Sequence, residues 1–264
     1  MKTNITRMYT QNTGLLQELA IAEEILLFDS EDDSRNQILV PDNKAEIFIP
    51  LGGNVDFQCL GCVRSLSIRS GNGYFLMPRG RGANISLNER TKLLIIKINP
   101  IYAKKIASNF AEIANGVFQI NISSVQLSSL IDLSVSRDKY EASSIIEELS
   151  NLSYDLYDHN LTILESMEYI KDSCGTISIK EIYSSLNISK SKLEQHFNKE
   201  VGLTPKEYCK IEKINCFIKS YLNDMDQSLT ELTYRCGYYD QSHLIKDFKY
   251  FLDTSPKKYF CSYR

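Results

Sequence analysis

Two stretches near the C-terminal end of the chain, Ser178 to Lys199 and Ser228 to Lys249, run through the same order of residue types fifty positions apart. In the first, Ile179, Ile182 and Leu186 recur at helical spacing, Ile188 follows a break, and Leu193 and Phe197 sit four apart. The pattern predicts a short helix, a tight turn and a second short helix. Ser178, followed three residues on by Glu181, forms a capping box, and Ser189 is placed to accept a backbone N–H at the start of the second helix. The other stretch repeats these signals. Ser228 pairs with Glu231 as a box, Gly237 supplies a positive φ, Asp240 caps the next helix, and Leu244 and Phe248 mirror Leu193 and Phe197.

Between the units, Thr204-Pro205 opens a longer helix whose inner stripe is Tyr208, Ile211, Ile214, Phe217, Ile218, Tyr221 and Leu222. About eighteen helical residues span roughly 27 Å. That length suits holding two short helices near the ~34 Å repeat of successive major grooves on one face of DNA. With the apolar pairs turned inward, the first unit presents Lys190, Ser191, Lys192, Glu194, Gln195 and Asn198, and the second Gln241, Ser242, His243, Lys246 and Lys249. These side chains can bond phosphates and base edges. Taken singly, each is equally at home on the solvated face of an ordinary helical bundle. His196, next to Phe197, reads as packing, whereas His243 reads as exposed.

These residues resemble the DNA-binding domain of the AraC/XylS family of bacterial transcription regulators over about residues 160 to 260. The most specific parts are Phe-Asn-Lys-Glu-Val-Gly-Leu-Thr-Pro at 197–205, Cys-Gly-Tyr-Tyr-Asp-Gln-Ser-His-Leu-Ile-Lys-Asp-Phe at 236–248, and Ser-Pro-Lys-Lys-Tyr at 255–259. The resemblance implies base contacts from Ser191, Glu194 and Gln195 in the first unit and from Ser242, His243 and Lys246 in the second. Four positions depart from the family pattern. Tyr183 and Thr233 stand where small alanines are usual, Lys213 replaces an arginine, and Asp253 replaces a glycine. Lysine keeps the charge of arginine without its bidentate fork. A side chain as large as Tyr183 works against tight closure of the first unit.

Charge weighs mildly against a nucleic-acid partner. The chain has a formal net charge of −3. Residues 161–264 hold fifteen Lys/Arg and fourteen Asp/Glu, a net of +1, which leaves −4 for residues 1–160. Non-specific affinity comes mainly from phosphate neutralisation, so modest, salt-sensitive binding is expected. Lys190, Lys192, Lys199, Lys246 and Lys249 nevertheless cluster on or beside the two reading helices.

The first hundred residues read as strands. Short β-forming runs at 38–40, 45–50, 55–59, 65–68, 74–77 and 92–98 are separated by Pro41-Asp42-Asn43, Gly52-Gly53-Asn54, Gly71-Asn72-Gly73 and Arg79-Gly80-Arg81-Gly82, as in an antiparallel sandwich or barrel. From about Pro100 the pattern turns helical, at 102–110, 125–133 and 139–156. The expected class is α+β: a β-rich regulatory or dimerisation domain with C-terminal helices over 1–159, and an all-α domain of two helix-turn-helix units over 160–264. Val-Pro-Asp-Asn at 40–43 and Ile-Lys-Ile-Asn-Pro at 96–100 resemble, more loosely, the N-terminal domain of certain AraC-type regulators. In that family such a domain often senses a small molecule or mediates dimerisation.

Three features of this half admit functional readings. Cys59-Leu60-Gly61-Cys62 has the spacing of half a zinc knuckle or a redox pair, but structural zinc needs four ligands, so a turn between strands is the better reading. The Arg79–Gly82 run lacks the Gly-Lys-Ser/Thr ending of a phosphate loop and reads as a hairpin loop. Ile145, Leu149, Leu152 and Leu156 form an apolar stripe, equally suited to a second subunit and to the chain's own sheet.

The expected function is a sequence-specific transcriptional regulator and not an enzyme, with no cofactor and no metal. Its expected partners are double-stranded DNA, RNA polymerase, a second copy of the chain and a small-molecule effector. The alternative is a metal- or cysteine-dependent enzyme, or a DNA-repair or sensor protein, built on the same DNA-binding module. Against it, His159, His196 and His243 all fall outside the strand region. No run approaches the ~20 apolar residues of a membrane span, and the polar Met1–Gly14 lacks a signal-peptide core, so a cytoplasmic protein is expected. Seven irregularly spaced cysteines then read as reduced thiols.

Overall fold

The computed structural model describes residues 4–10, 22–29, 35–87, 91–114, 116–120 and 161–261. The described strands are β1 (Asn4–Thr10), β2 (Ala22–Asp29), β3 (Arg35–Leu39), β4 (Ala45–Gly52), β5 (Asn54–Cys59), β6 (Leu66–Arg69), β7 (Gly73–Leu76), β8 (Ala83–Leu87), β9 (Lys92–Ile98), β10 (Glu112–Ala114) and β11 (Val117–Ile120). They form two antiparallel sheets, one ordered β1-β2-β9-β4-β7-β11-β10 and the other β3-β8-β5-β6.

The alternation of side chains along β4 and β9 determines the layering. Phe48, Leu93 and Ile95 point at the four-stranded sheet and meet Val55, Phe57, Ile85 and Leu87. Their neighbours Ile47, Ile49, Leu94 and Ile96 point the other way, into a core shared with the C-terminal helices. Strands buried on both faces carry near-continuous apolar runs, as Leu93 to Ile96 does. The larger sheet is thus the middle of three layers. The six expected strands are present. Ala83–Leu87 is a further strand with a clean alternation of buried and half-buried residues. Among the described residues, the helical stretch just after Pro100 consists of a 3-10 turn (Pro100–Tyr102) and α1 (Ala103–Ala107). The chain then returns to strand, with Val117 opposite Leu76. The expected helices at 125–133 and 139–156, the stripe Ile145, Leu149, Leu152 and Leu156, and the boundary near His159-Asn160 lie outside the described residues.

Two expectations for the strand region resolve differently. Cys59 to Cys62 is indeed a turn, closed by the Cys62 N–H donating to the Cys59 carbonyl at 3.0 Å. Arg79 to Gly82 is not a hairpin loop, because β7 and β8 belong to different sheets. It crosses between the sheets and docks on the C-terminal helices: the Gly82 N–H donates to the Phe251 carbonyl at 2.8 Å, and Arg81 Nε to the Tyr250 carbonyl at 2.8 Å.

The C-terminal helices are α2 (Leu161–Asp172), α3 (Ile179–Ser185), α4 (Lys190–Glu200), α5 (Pro205–Asn223), α6 (Leu229–Arg235), α7 (Gln241–Leu252) and α8 (Pro256–Cys261). Central α5 buries Tyr208, Ile211, Ile214, Phe217, Ile218 and Tyr221, while Leu222, expected in the stripe, is exposed in the last turn. Phe217 forms the aromatic centre, with Tyr238 and Phe248 packed edge-on at 6.1 and 5.8 Å. The expectation of uniformly reduced thiols is corrected here. The sulfurs of Cys174 and Cys216 are bonded, with Cα atoms 5.8 Å apart, because α2's terminal turn lies directly on α5. A count over the sequence cannot reveal that contact.

Candidate nucleic-acid interface

Each short helix begins where a side chain satisfies orphan backbone donors. Ser178 accepts from the Glu181 N–H at 3.1 Å, and the Glu181 carboxylate accepts from the Ser178 N–H at 2.8 Å, completing the first box. Ser189 caps α4 through the Lys192 N–H at 3.2 Å, and Asp240 caps α7 through the His243 N–H at 2.7 Å. Only half of the second expected box is seen: Ser228 accepts from the Glu231 N–H at 3.5 Å. Gly237 has φ +73, and a Cβ there would lie 2.7 Å from Thr176 Cγ2. Glycine is therefore required at that turn both by its backbone and by its neighbour.

The departures from the family pattern are absorbed locally. Tyr183 lies half-buried against the core and α3 forms normally, so its bulk does not prevent the first unit from closing. Thr233 is fully buried, its hydroxyl donating to the Leu229 carbonyl at 2.6 Å. Lys213 reaches from α5 to the second unit's turn. Its Nζ donates to the Gly237 carbonyl at 2.5 Å and stands 4.3 Å from the centre of the Tyr238 ring. Asp253 ends α7 at φ 53, the left-handed position that glycine fills most readily.

Leu193, Phe197 and Phe248 have no exposure and Leu244 has 2%, which turns the opposite faces of α4 and α7 to solvent. On α4, Lys190, Ser191, Lys192, Gln195, Asn198 and Lys199 are exposed, and Glu194 is half-buried with its carboxylate 3.6 Å from Lys190. On α7, Gln241, Ser242, His243, Lys246 and Lys249 are all exposed. Gln241 is not wholly available to a partner, since its side-chain amide donates to Thr230 on α6 at 2.6 Å. His243 is braced from below by the edge of Tyr238 at 5.3 Å and lies 4.0 Å from the buried Asp247 carboxylate. Burial pushes the Asp247 carboxyl up, with Lys210, His243 and Lys213 pulling against it. His196, half-buried, sits 4.0 Å from Glu200.

Sequence reasoning passed over Tyr239, 85% exposed directly before the Asp240 cap, and Tyr234, exposed on α6. An exposed aromatic just before a helix can be recognised in sequence only once the helix start is known.

It also missed a cavity of about 1000 Å³ at the junction of sheet and helices. Leu26, Phe28 and Ile95 line it from the strands and Leu164 and Met167 from α2, with Lys44, Lys97, Lys171 and Lys219 converging from both halves. Lys97 is ion-paired with Asp42. Burial, then the like charges of Lys97, Lys171 and Lys219, brings Lys44 down to about 7 against the opposing pull of Glu212. Around this junction Asn43 Nδ2 donates to the Tyr208 carbonyl at 3.0 Å and Asn215 Nδ2 to the Pro41 carbonyl at 2.6 Å. Among the described residues no three His, Cys, Asp or Glu side chains come together as a metal site, and no helix is long and apolar enough to cross a membrane.

A helix-turn-helix domain model matches residues 182–261. The xylose operon regulatory protein of Escherichia coli is 32% identical over 98 residues, which make up 37% of this chain and 25% of that protein. The chain therefore spans about a quarter of the length of the curated relatives that it matches first. Over nearly its whole length it shares a fold with ToxT of Vibrio cholerae. An apo form superposes with a TM-score of 0.60 at 14% identity, covering 96% of this chain and 99% of ToxT. A ToxT structure with bound unsaturated fatty acid gives 0.57 at 15% identity, covering 89% and 93%. Paired capped units, one connecting helix and two exposed polar faces accompany these matches, and over residues 182–261 the chain is similar to the helix-turn-helix domain of AraC/XylS regulators.

Proposed function

We propose that the chain is a sequence-specific DNA-binding transcriptional regulator that lays α4 and α7 into successive major grooves. The observation that carries this reading is the pair of solvent-facing polar helix surfaces held by a single connecting helix, α5. Ser191, Glu194, Gln195, Ser242, His243 and Lys246 read base edges in this scheme. Lys190, Lys192, Asn198, Gln241 and Lys249 position the helices on the backbone. Residues 160–264 act as the reading unit and 1–159 as the regulatory unit, in a cytoplasmic protein working with RNA polymerase and a second copy of itself. Selection of bound fragments from a random-sequence DNA pool tests the role. A recurrent motif with two half-sites about one helical turn apart is expected, and recovery of unrelated sequences with purely salt-governed affinity refutes it.

The junction cavity supports a second element of the role, control by a small acidic amphiphile. Its walls combine aliphatic and aromatic side chains with four lysines set among Glu24, Asp42, Glu46, Glu168 and Glu212. With Lys97 paired to Asp42, it is Lys44, Lys171 and Lys219 that would meet one carboxylate on an apolar tail. The fatty acid in the ToxT structure of the same fold is a molecule of that kind. Calorimetric titration with a long-chain unsaturated fatty acid below its micellar concentration should give one site per chain. Loss of that site in Lys44→Met with Lys219→Met supports the assignment, and undiminished binding in the double variant removes it.

A further inference from the structure

We infer that Cys174 and Cys216 are a reversible thiol pair whose closure fixes the point where the two reading units meet. Cys174 is exposed in the turn after α2, and Cys216 lies half-buried on α5. Their Cα separation of 5.8 Å falls within the 4.4–6.8 Å range that a disulfide spans without backbone movement. The turn itself leaves little slack. Cys174 and Gly175 are both left-handed, the Gly175 N–H donates to the Ile170 carbonyl at 2.7 Å, and a Cβ on Gly175 would stand 2.1 Å from the Cys209 carbonyl oxygen. The α2 turn therefore rests backbone to backbone on α5.

Two further contacts make this turn a meeting point. Thr176 packs on Gly237 in the turn of the second unit, and Ser178, two residues later, caps the first helix of the first unit. A bond from Cys174 to α5 ties the start of one unit to the helix that carries the other. The remaining cysteines are placed differently: Cys209 and Cys236 are buried, and Cys59, Cys62 and Cys261 are thiols elsewhere on the chain.

Glutathione disulfide is the oxidant class that suits an exposed thiol. The Cys174 thiolate attacks one sulfur of glutathione disulfide, releasing one glutathione and leaving a mixed disulfide. Cys216 Sγ then attacks the Cys174 sulfur and releases the second glutathione. Two protein thiols lose two electrons and two protons, and one glutathione disulfide becomes two glutathiones.

The full chain equilibrated in a series of glutathione to glutathione-disulfide ratios, acid-quenched and peptide-mapped, tests the inference. One linked peptide containing Cys174 and Cys216 should rise and fall across the series. The closed form should melt higher by about 5 °C or more. Closed protein should also bind DNA fragments selected from a random pool about five-fold or more tightly than reduced protein, because a fixed pair of units loses less freedom on docking. Cys174→Ser should behave as the reduced form at every ratio. Alkylation of both sulfurs at all ratios, a bond that never opens, or equal DNA affinity in the two states overturns the inference. The DNA arm rests on the regulator role proposed above. Absence of DNA binding in both states overturns that role, while the linked peptide and the melting shift judge the thiol pair independently.

Discussion

At the scale of single residues, burial separates the side chains that hold α7 in place from those that face solvent. Phe248 has no exposure and meets Phe217, Tyr259 and Phe260 within 6 Å. Phe248→Ala should cost about 3–5 kcal/mol in denaturant unfolding, since a buried ring leaves a cavity that its neighbours cannot fill. Lys246, two positions earlier, is exposed. Lys246→Ala should leave that unfolding curve nearly unchanged and weaken binding to a selected fragment by ~1–3 kcal/mol. A variant that binds like the parent excludes Lys246 as a base reader. For Lys192, in the role of a phosphate contact, alanine should weaken all fragments alike and lower the salt slope by about one.

At the scale of elements, capping and turn residues state most of the C-terminal architecture locally. Asp240→Ala removes the acceptor for the His243 N–H and should lower stability by about 0.5–2 kcal/mol. Asp253 occupies a left-handed position, where its Cβ crowds the backbone, so Asp253→Gly should stabilise the chain by up to about 1 kcal/mol in thermal or chemical melts. Lower stability in that variant would mean that the aspartate side chain has a role beyond ending the helix. The strand elements were less legible. Ala-Asn-Ile-Ser-Leu at 83–87 carries two polar residues in five, and its strand character comes from pairing with β3 and β5. Arg79 to Gly82 reads as a hairpin because glycine marks a turn without saying which sheet receives the next strand.

At the scale of the whole molecule, the sheet and the helices share one apolar cluster, and polar groups gather where they meet. Lys44 there is held at about 7, far below the ordinary lysine value. Between about pH 7 and that ordinary value the unfolded chain binds more protons than the folded one, so stability rises with pH across this window. The cost of the charged Lys44 is full below about pH 7 and fades as the pH climbs. Thermal midpoints from pH 7 to 9 should accordingly rise more in the parent than in Lys44→Met. A carboxylate bound beside Lys44 would favour its charged form, so ligand binding at pH 8 should take up protons, detectable as a dependence of the apparent enthalpy on buffer ionisation. Binding without proton uptake would place the carboxylate away from Lys44.

The sequence by itself determined the two helix-turn-helix units, their caps and the central helix. Their signals are apolar spacing, a serine or aspartate before a helix and a glycine after one, all set within a few residues. It also indicated which faces of α4 and α7 point outward, because inward Leu193, Phe197, Leu244 and Phe248 leave only one side free. Only the tertiary structure decided that four lysines from distant positions line one cavity, that Arg79 to Gly82 crosses between sheets, and that Cys174 meets Cys216 across forty-two residues. Those outcomes depend on how β4, β9, α2 and α5 pack together, and packing between segments far apart in the chain leaves no periodicity in either of them.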